Sequence, residues 1–271
     1  MLQTKRGSRF QVMGVSEEEF PTIPDFPEEE ALELEAAVLR EMIEKTIFAV
    51  SVEKQRYALN GVLLSTKEKA AKVEMVGTDG HRLAVIRRKA NGVAPFASSA
   101  IISVKALQEL LKMIGGEDIV RIVVHERQVL IRSESGVLVA QLVDGHFPPY
   151  KDVIPADCDK KLEMDAEELG NAIRQAAVLT MAGSRTVTLK FAPGTLTIDS
   201  NDPELGEAHV ALDAKYEGAP LEMRFSPEFL LDGLKAFGDE TVRMEMKDAS
   251  RPAVMRAGPD YLYLVMPIVQ D

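Results

Sequence analysis

The sequence predicts an α+β fold made of two copies of one domain. Two features of its 271 residues predict this fold. A helical pattern that begins at Leu32 recurs at Leu162, and a second one that begins at Ser103 recurs at Ser226. Between these helices the residues form alternating or short β-branched apolar runs bounded by turn residues, as is typical of antiparallel strands. Helices and strands that repeat in the same order indicate a duplicated domain.

Each helical pattern has one apolar face, as expected for a helix that packs on a sheet. In the second pattern, Val104, Leu107 and Leu110 recur at helical spacing and form that face. Ser103 and Ser226 directly precede their helices, and a serine oxygen accepts hydrogen bonds from the first free amides of a helix. We therefore expect both serines to cap the helices that follow them.

The repeat also predicts the domain boundaries. Each copy follows a Phe-Pro and Ile-Pro lead-in, which gives one domain over residues 25–150 and another over residues 151–271. Residues 1–24 do not begin a copy but match the end of one, the strand, turn and Phe-Pro exit of residues 137–155. We therefore expect residues 1–24 to be the last strand and linker of a further domain whose body is absent.

Composition limits the classes of function. The net charge is −11, which argues against a protein that grips nucleic acid over its whole surface but not against a local basic lining. Tryptophan is absent and aromatic residues make up 6%, so base-stacking platforms are not expected. Cys158 is the only cysteine, which excludes an internal disulfide and fits a reducing cytoplasm. We expect neither a signal peptide nor a membrane span.

The stretch of residues 76–85, VGTDGHRLAV, has the residue types of an active site. His81 with Asp79 would suit acid–base catalysis, but Asp-Gly is a strong turn signal, and the sequence shows no nucleophile elbow and no phosphate-binding glycine loop. The histidines lack the spacing of metal ligands; they are His81, His125, His146 and His209. The residues alone favour a solvent-exposed hairpin turn, with no metal, no cofactor and no catalysis.

Four motifs resemble one known family. These are ALNGVLL, GTDGHRLAV, QLVDGHFPPYKDVIP and YLYLVMP, which occur in the order and spacing found in the bacterial DNA polymerase sliding clamp, the beta subunit. The resemblance covers essentially the whole chain and implies the DNA clamp fold, here as the second and third of three domains. It also implies a non-catalytic processivity factor that forms a homo-oligomeric ring around duplex DNA and binds replicative and repair polymerases and the clamp loader. A peptide-binding module that does not close a ring is the alternative.

The resemblance further implies a pocket for short peptides of partner proteins. Carried over to this chain, the pocket residues are Leu59, Thr78, Gly80, His81, Arg82, Leu83, Pro148, Asp152, Val153, Ser250, Pro252, Leu264, Met266, Pro267 and Ile268. A flexible methionine such as Met266 suits a site that receives several ligands. Asp152 and Ser250 depart from the residues that several family members carry at these positions.

In the resembled family the helices face the DNA. The basic residues expected to line the hole are Arg40, Lys45, Lys54, Arg56, Lys105, Lys112, Arg174, Arg185 and Lys235. Phosphate contacts of this kind carry no sequence information and weaken with salt. The alternative is that these side chains are merely solvated, since Glu41, Glu44 and Glu109 lie among them.

Overall fold

The structure is a computed structural model. It describes residues 2–14, 16, 24–53, 56–66, 72–92, 99–116, 118–180 and 186–269. Within these residues four α-helices pack on antiparallel strands, so the predicted α+β fold is confirmed. The helices are α1 (Ala36–Ile47), α2 (Val104–Met113), α3 (Ala166–Ala177) and α4 (Pro227–Lys235).

The strands repeat in the same order around the two helix pairs. A short N-terminal hairpin consists of β1 (Leu2–Gln3) and β2 (Arg9–Phe10). The first copy contains β3 (Leu32–Glu35), β4 (Gly61–Thr66), β5 (Lys72–Thr78), β6 (Arg82–Lys89), β7 (Asn91–Gly92), β8 (Ala100–Ser103), β9 (Ile119–Val124), β10 (Gln128–Ser133) and β11 (Gly136–Gln141). The second copy contains β12 (Lys160–Asp165), β13 (Val187–Ala192), β14 (Gly194–Asp202), β15 (Gly206–Glu217), β16 (Leu221–Phe225), β17 (Thr241–Met246), β18 (Ala253–Ala257) and β19 (Tyr261–Val265).

Each helix follows a strand with at most one residue between them, and local residues explain how three of the four helices begin. The Ser103 side chain accepts a hydrogen bond from the Ala106 amide, as predicted, and Asp165 caps α3 in the same way. The prediction for Ser226 was wrong, because its side chain makes no capping hydrogen bond. Pro227 follows it at the first helical position, where its fixed φ favours helix initiation without a cap.

One sheet runs through both copies of the domain. It has twelve strands in the order β16-β13-β14-β15-β12-β17-β18-β19-β6-β5-β4-β8, and a second sheet has the order β11-β10-β9-β3-β7. The two copies join where β19, the last strand of the chain, pairs antiparallel with β6. In that pairing Leu264 lies opposite Leu83 and Tyr263 lies opposite Ala84.

The two faces of the junction strands pack differently. Ala84 and Tyr263 belong to a large core that includes residues of all four helices. Leu83 and Leu264 point the other way, because successive side chains of a strand alternate between faces. They form a smaller cluster, which among the described residues contains none from the four α-helices. The junction therefore has a helical face and an outer face, and the outer face has its own apolar cluster.

A glycine allows the helical face of the junction to close. Gly233 of α4 lies so close to the Tyr263 ring that a Cβ at this position would overlap the ring. Tyr263 is fully buried, donates a hydrogen bond to the Phe229 carbonyl oxygen at 2.7 Å, and packs on Phe48 of the first copy. The absence of a side chain at Gly233 thus sets how closely α4 packs on β19, whose Tyr263 in turn contacts Phe48 of the first copy.

Gly233→Ala should lower the free energy of unfolding by about 1–3 kcal/mol, because the added methyl group overpacks a buried aromatic contact. Urea denaturation measures this change. The matched control is Gly116→Ala, since a Cβ at Gly116 would meet no atom within 4 Å. Equal stability of the two variants would contradict the close packing of α4 on β19.

Candidate functional site

The turn Thr78–Arg82 joins β5 to β6 at the junction. Thr78 Oγ1 donates a hydrogen bond to the Arg82 carbonyl oxygen at 2.6 Å, and Asp79 Oδ1 accepts from the His81 and Arg82 amides at 2.9 and 3.0 Å. Gly80 has a φ of 93°, a conformation that glycine adopts without strain. Asp79 therefore holds the backbone of the turn and does not orient the imidazole of His81. This geometry argues against the acid–base pair considered from the sequence.

Arg82 connects the turn to the second copy of the domain. Its Nε lies 3.0 Å from Asp79 Oδ2, and another guanidinium nitrogen lies 2.5 Å from Asp232 Oδ2 on α4. The guanidinium carbon lies 4.6 Å from the centre of the Phe229 ring and 5.8 Å from that of Phe48. Burial lowers the pKa of Arg82, but the Asp232 hydrogen bond and nearby acidic groups raise it more, so the net shift is upward and the side chain stays charged.

The end of the chain runs beside this turn. The Met266 amide donates a hydrogen bond to the His81 carbonyl oxygen at 2.8 Å, and the Ile268 amide donates to the Arg224 carbonyl oxygen at 2.7 Å. Pro267 is buried between them, whereas Met266 is 36% exposed and Ile268 is 42% exposed. Two distant parts of the sequence thus form adjacent walls of one surface, with apolar side chains open to solvent.

Buried leucines lie next to this surface. Leu83 and Leu264 are nearly inaccessible and belong to the outer cluster. The cluster also contains Tyr150 of the connector, residues 142–159 between β11 and β12. Leu59 is half-buried at the end of a short 3-10 turn, and Val153 is exposed at the end of another. Buried leucines thus form an apolar base, and accessible or half-buried apolar side chains lie at its edge.

The connector is held to the sheet by a buried polar group that the sequence analysis missed. Tyr150 donates a hydrogen bond to the Glu74 carboxylate, and Arg87 Nε lies 2.5 Å from the same carboxylate. Burial, followed by the Glu74 hydrogen bond, raises the pKa of Tyr150 well above its ordinary value, so the hydroxyl stays protonated and donates. This anchor positions the turn that carries Asp152 and Val153. The sequence feature that could have revealed this buried group is the glutamate within the apolar strand KVEMVGT.

The other residues of the predicted pocket are less closely associated with the turn. Pro148 and Asp152 are exposed on the connector, and Pro252 is half-buried. Ser250 is exposed and donates to Asp248 Oδ1 at 2.7 Å within the loop between β17 and β18. In the described part of the chain, no hydrogen bond links Ser250 to the turn Thr78–Arg82.

Two of the basic residues expected to line a hole have structural partners instead. Arg40 of α1 donates to the Leu111 and Ile114 carbonyl oxygens at 3.1 and 2.9 Å, which satisfies the free end of α2. The Lys45 side chain is only 15% exposed and pairs with Glu41 at 3.2 Å. Both cations therefore hold helices in place, and their contact with DNA stays a prediction.

The remaining cations divide into four groups. Arg56 lies against the turn Thr78–Arg82, where it donates to the Asp79 carbonyl oxygen at 2.9 Å. Lys112 pairs with Glu109 at 2.9 Å, and Arg174 is exposed and bonds to Asn171. Lys105 and Lys235 are exposed on α2 and α4 and have no ion pair among the described residues. Lys54 and Arg185 lie outside the described residues.

The described residues offer no cluster of three or more potential metal ligands. His209 lies 2.7 Å from Asp199 on an exposed strand face. Burial, then the charges of Glu245 and Asp157, raises the pKa of the Cys158 thiol, which makes it a poor nucleophile. None of the helices in the described ranges is long and apolar enough to cross a membrane.

Two repeats that share one sheet, carry their helices on one face and have an apolar junction on the other define the DNA clamp fold. Comparison with known families agrees with this class. Residues 33–149 match the model of the DNA polymerase III beta subunit central domain, and residues 151–269 match that of its C-terminal domain. The chain belongs to this family, the bacterial beta sliding clamps, which are processivity factors of DNA replication.

Individual relatives support the assignment over nearly the whole chain. The beta sliding clamp of Chlamydia pneumoniae is 34% identical over 265 residues, which is 98% of this chain and 72% of that protein. The beta sliding clamp of Escherichia coli K12 is 33% identical over 271 residues, 99% of this chain and 73% of that protein. The crystal structure of the Bacillus subtilis clamp has a TM-score of 0.88 and 30% identity, and the match covers 95% of this chain and 69% of that one.

Tyr150→Phe should lower the free energy of unfolding by about 1–3 kcal/mol, because it removes a donor from the buried Glu74 carboxylate. Chemical denaturation at neutral pH measures the change. Tyr57→Phe is the matched control, since Tyr57 is 71% exposed. If both tyrosine variants kept the stability of the original protein, the proposed anchoring of the connector would be wrong.

Proposed function

We propose that this clamp subunit binds short peptides of partner proteins at the outer face of the junction, between the turn Thr78–Arg82 and the segment Met266–Ile268. The observation that carries the proposal is the hydrogen bond from the Met266 amide to the His81 carbonyl oxygen, at 2.8 Å. It joins the two copies beside the buried pair Leu83 and Leu264, while Met266 and Ile268 remain accessible. Accessible apolar side chains beside a buried apolar pair suit an extended peptide with apolar anchors.

The free energy that apolar anchors contribute to binding is small, which predicts that bound peptides exchange readily. Two buried leucine or phenylalanine anchors contribute about 1.5–3 kcal/mol each. Micromolar affinity requires about 8 kcal/mol. Backbone hydrogen bonds and the rigidity of the turn must supply the difference, which suits a platform that exchanges replicative and repair polymerases and the clamp loader. The clamp structure from Pseudomonas aeruginosa bound to griselimycin shows that a relative accepts a ligand, and we propose that this chain does so too.

We further propose that the helical face meets duplex DNA. Residues 25–150 and 151–271 then act as the second and third clamp domains, with residues 1–24 as the last strand and linker of the first. Lys105 and Lys235 are the described cations that support this orientation best, since both are exposed on helices and free of ion pairs. The net charge of −11 keeps DNA from binding elsewhere on the surface. Such a protein acts in the cytoplasm, as a homo-oligomer and without catalysis.

Met266→Ala should weaken binding of a fluorescent peptide with two apolar anchors by roughly tenfold, the equivalent of about 1.4 kcal/mol. The loss reflects the smaller apolar contact at the edge of the pocket. His81→Ala tests the opposite wall in the same titration by fluorescence anisotropy. Met13→Ala is the matched control, because Met13 is 90% exposed near the N-terminus. Unchanged affinity in both Met266→Ala and His81→Ala would contradict the site.

Replacing Lys105 and Lys235 together by alanine should weaken the salt dependence of DNA binding. Each lost phosphate contact makes the slope of log K against log salt about 0.9 less negative. Lys215→Ala is the control, since Lys215 is exposed on the strand face that points away from the helices. Measurement on linear and on closed circular duplex separates the alternatives. If the original protein stays on circular DNA but not on linear DNA, it forms a ring. If it binds both DNAs equally and weakly, it is a module that only binds peptides.

A further inference from the structure

Asp232 of α4 lies outside every set of functional residues predicted from the sequence. Its side chain is 39% exposed and faces two cavities on either side of α4. One cavity, of about 530 Å³, is bounded by Arg174 and Val178 at the end of α3. The other, of about 460 Å³, is bounded by Phe48 and by Lys235. Asp232 is thus accessible from the helical face of the junction.

The same carboxylate reaches through to the turn on the other side. Asp232 Oδ2 lies 2.5 Å from a guanidinium nitrogen of Arg82, whose side chain is only 10% exposed. The guanidinium is rigid and planar, so a partner on one edge fixes the direction of the other edge. That other edge binds Asp79 Oδ2 at 3.0 Å, and Asp79 Oδ1 holds the His81 amide. A continuous series of charge-assisted contacts therefore leads from α4 to the backbone of the turn.

Phe229, three residues before Asp232 on α4, supports the same arrangement. Its ring lies under the Arg82 guanidinium at 4.6 Å and stacks against the His81 ring at 6.2 Å between centroids. One helix thus contacts both Arg82 and His81 at the rim of the candidate pocket. Lys235 lies in the last turn of the same helix, on the helical face that we propose meets DNA.

We infer that Asp232 is a positioning residue of the candidate peptide site, which acts through Arg82 on the conformation of the turn Thr78–Arg82. The inference rests on the proposed peptide-binding function. It makes α4 a physical link between the helical face and the outer face of the junction. A peptide bound on the outer face then depends on a residue that it does not touch.

The test compares Asp232→Asn with Glu228→Gln in the anisotropy titration of the two-anchor peptide. Glu228 is exposed one turn earlier on the same helix and borders the same cavity, so it controls for lost negative charge. Asp232→Asn should weaken binding by about tenfold, since charge-assisted hydrogen bonds are about twice as strong as neutral ones. Glu228→Gln should leave the affinity unchanged. Asp232→Glu, which restores the carboxylate, should recover most of it.

A double-mutant cycle separates positioning from general loss of structure. Once Arg82→Gln has removed the intermediary, adding Asp232→Asn should have no further effect on peptide affinity. Equal affinities of Asp232→Asn and Glu228→Gln, or additive losses in the double variant, would overturn the inference. If Asp232→Asn does not fold, Asp232→Ser, which also removes the carboxylate, with and without Arg82→Gln provides the same cycle. Failure of the original protein to bind the peptide would instead overturn the proposed function.

Discussion

The pairing of β19 with β6 is the constraint on which the rest of the structure depends. It brings the last strand of the chain beside the strand that follows the Thr78–Arg82 turn, and it makes one sheet out of two repeats. Backbone hydrogen bonds fix its register, so Leu264 meets Leu83 on the outer face and Tyr263 meets Ala84 on the helical face. A slip by one residue would exchange these faces and remove both the aromatic packing and the outer apolar cluster.

Polar contacts make this junction specific as well as stable. Arg82 joins Asp79 and Asp232 across the two repeats, and the aromatic rings of Phe48 and Phe229 exclude water from its guanidinium. A buried cation without such partners is strongly destabilising, so these contacts favour one relative placement of the repeats over others. The same placement leaves Met266 accessible beside a buried base.

Much of the fold was predictable because it repeats. The recurrence of Leu32 at Leu162 reflects a strand and helix that recur as a pair, and the alternating or short β-branched apolar runs mark the strands. Both leucines lie in the strands, so the predicted helices begin four residues too early; α1 begins at Ala36 and α3 at Ala166. The cap at Ser226 was predicted wrongly, since Pro227 starts that helix instead. The site was less accessible to sequence reasoning. Asp232 contacts Arg82, which is 150 residues away, and Glu74 contacts Tyr150, which is 76 residues away. Local sequence patterns do not indicate such distant contacts.

The most direct test of this account is a crystal structure of the chain with a two-anchor peptide bound. The account predicts that one anchor lies within van der Waals distance of Met266, next to Leu264, and that the peptide backbone passes the turn at Gly80. A peptide located elsewhere, or coordinates in which the turn and Met266 are no longer neighbours, would contradict it.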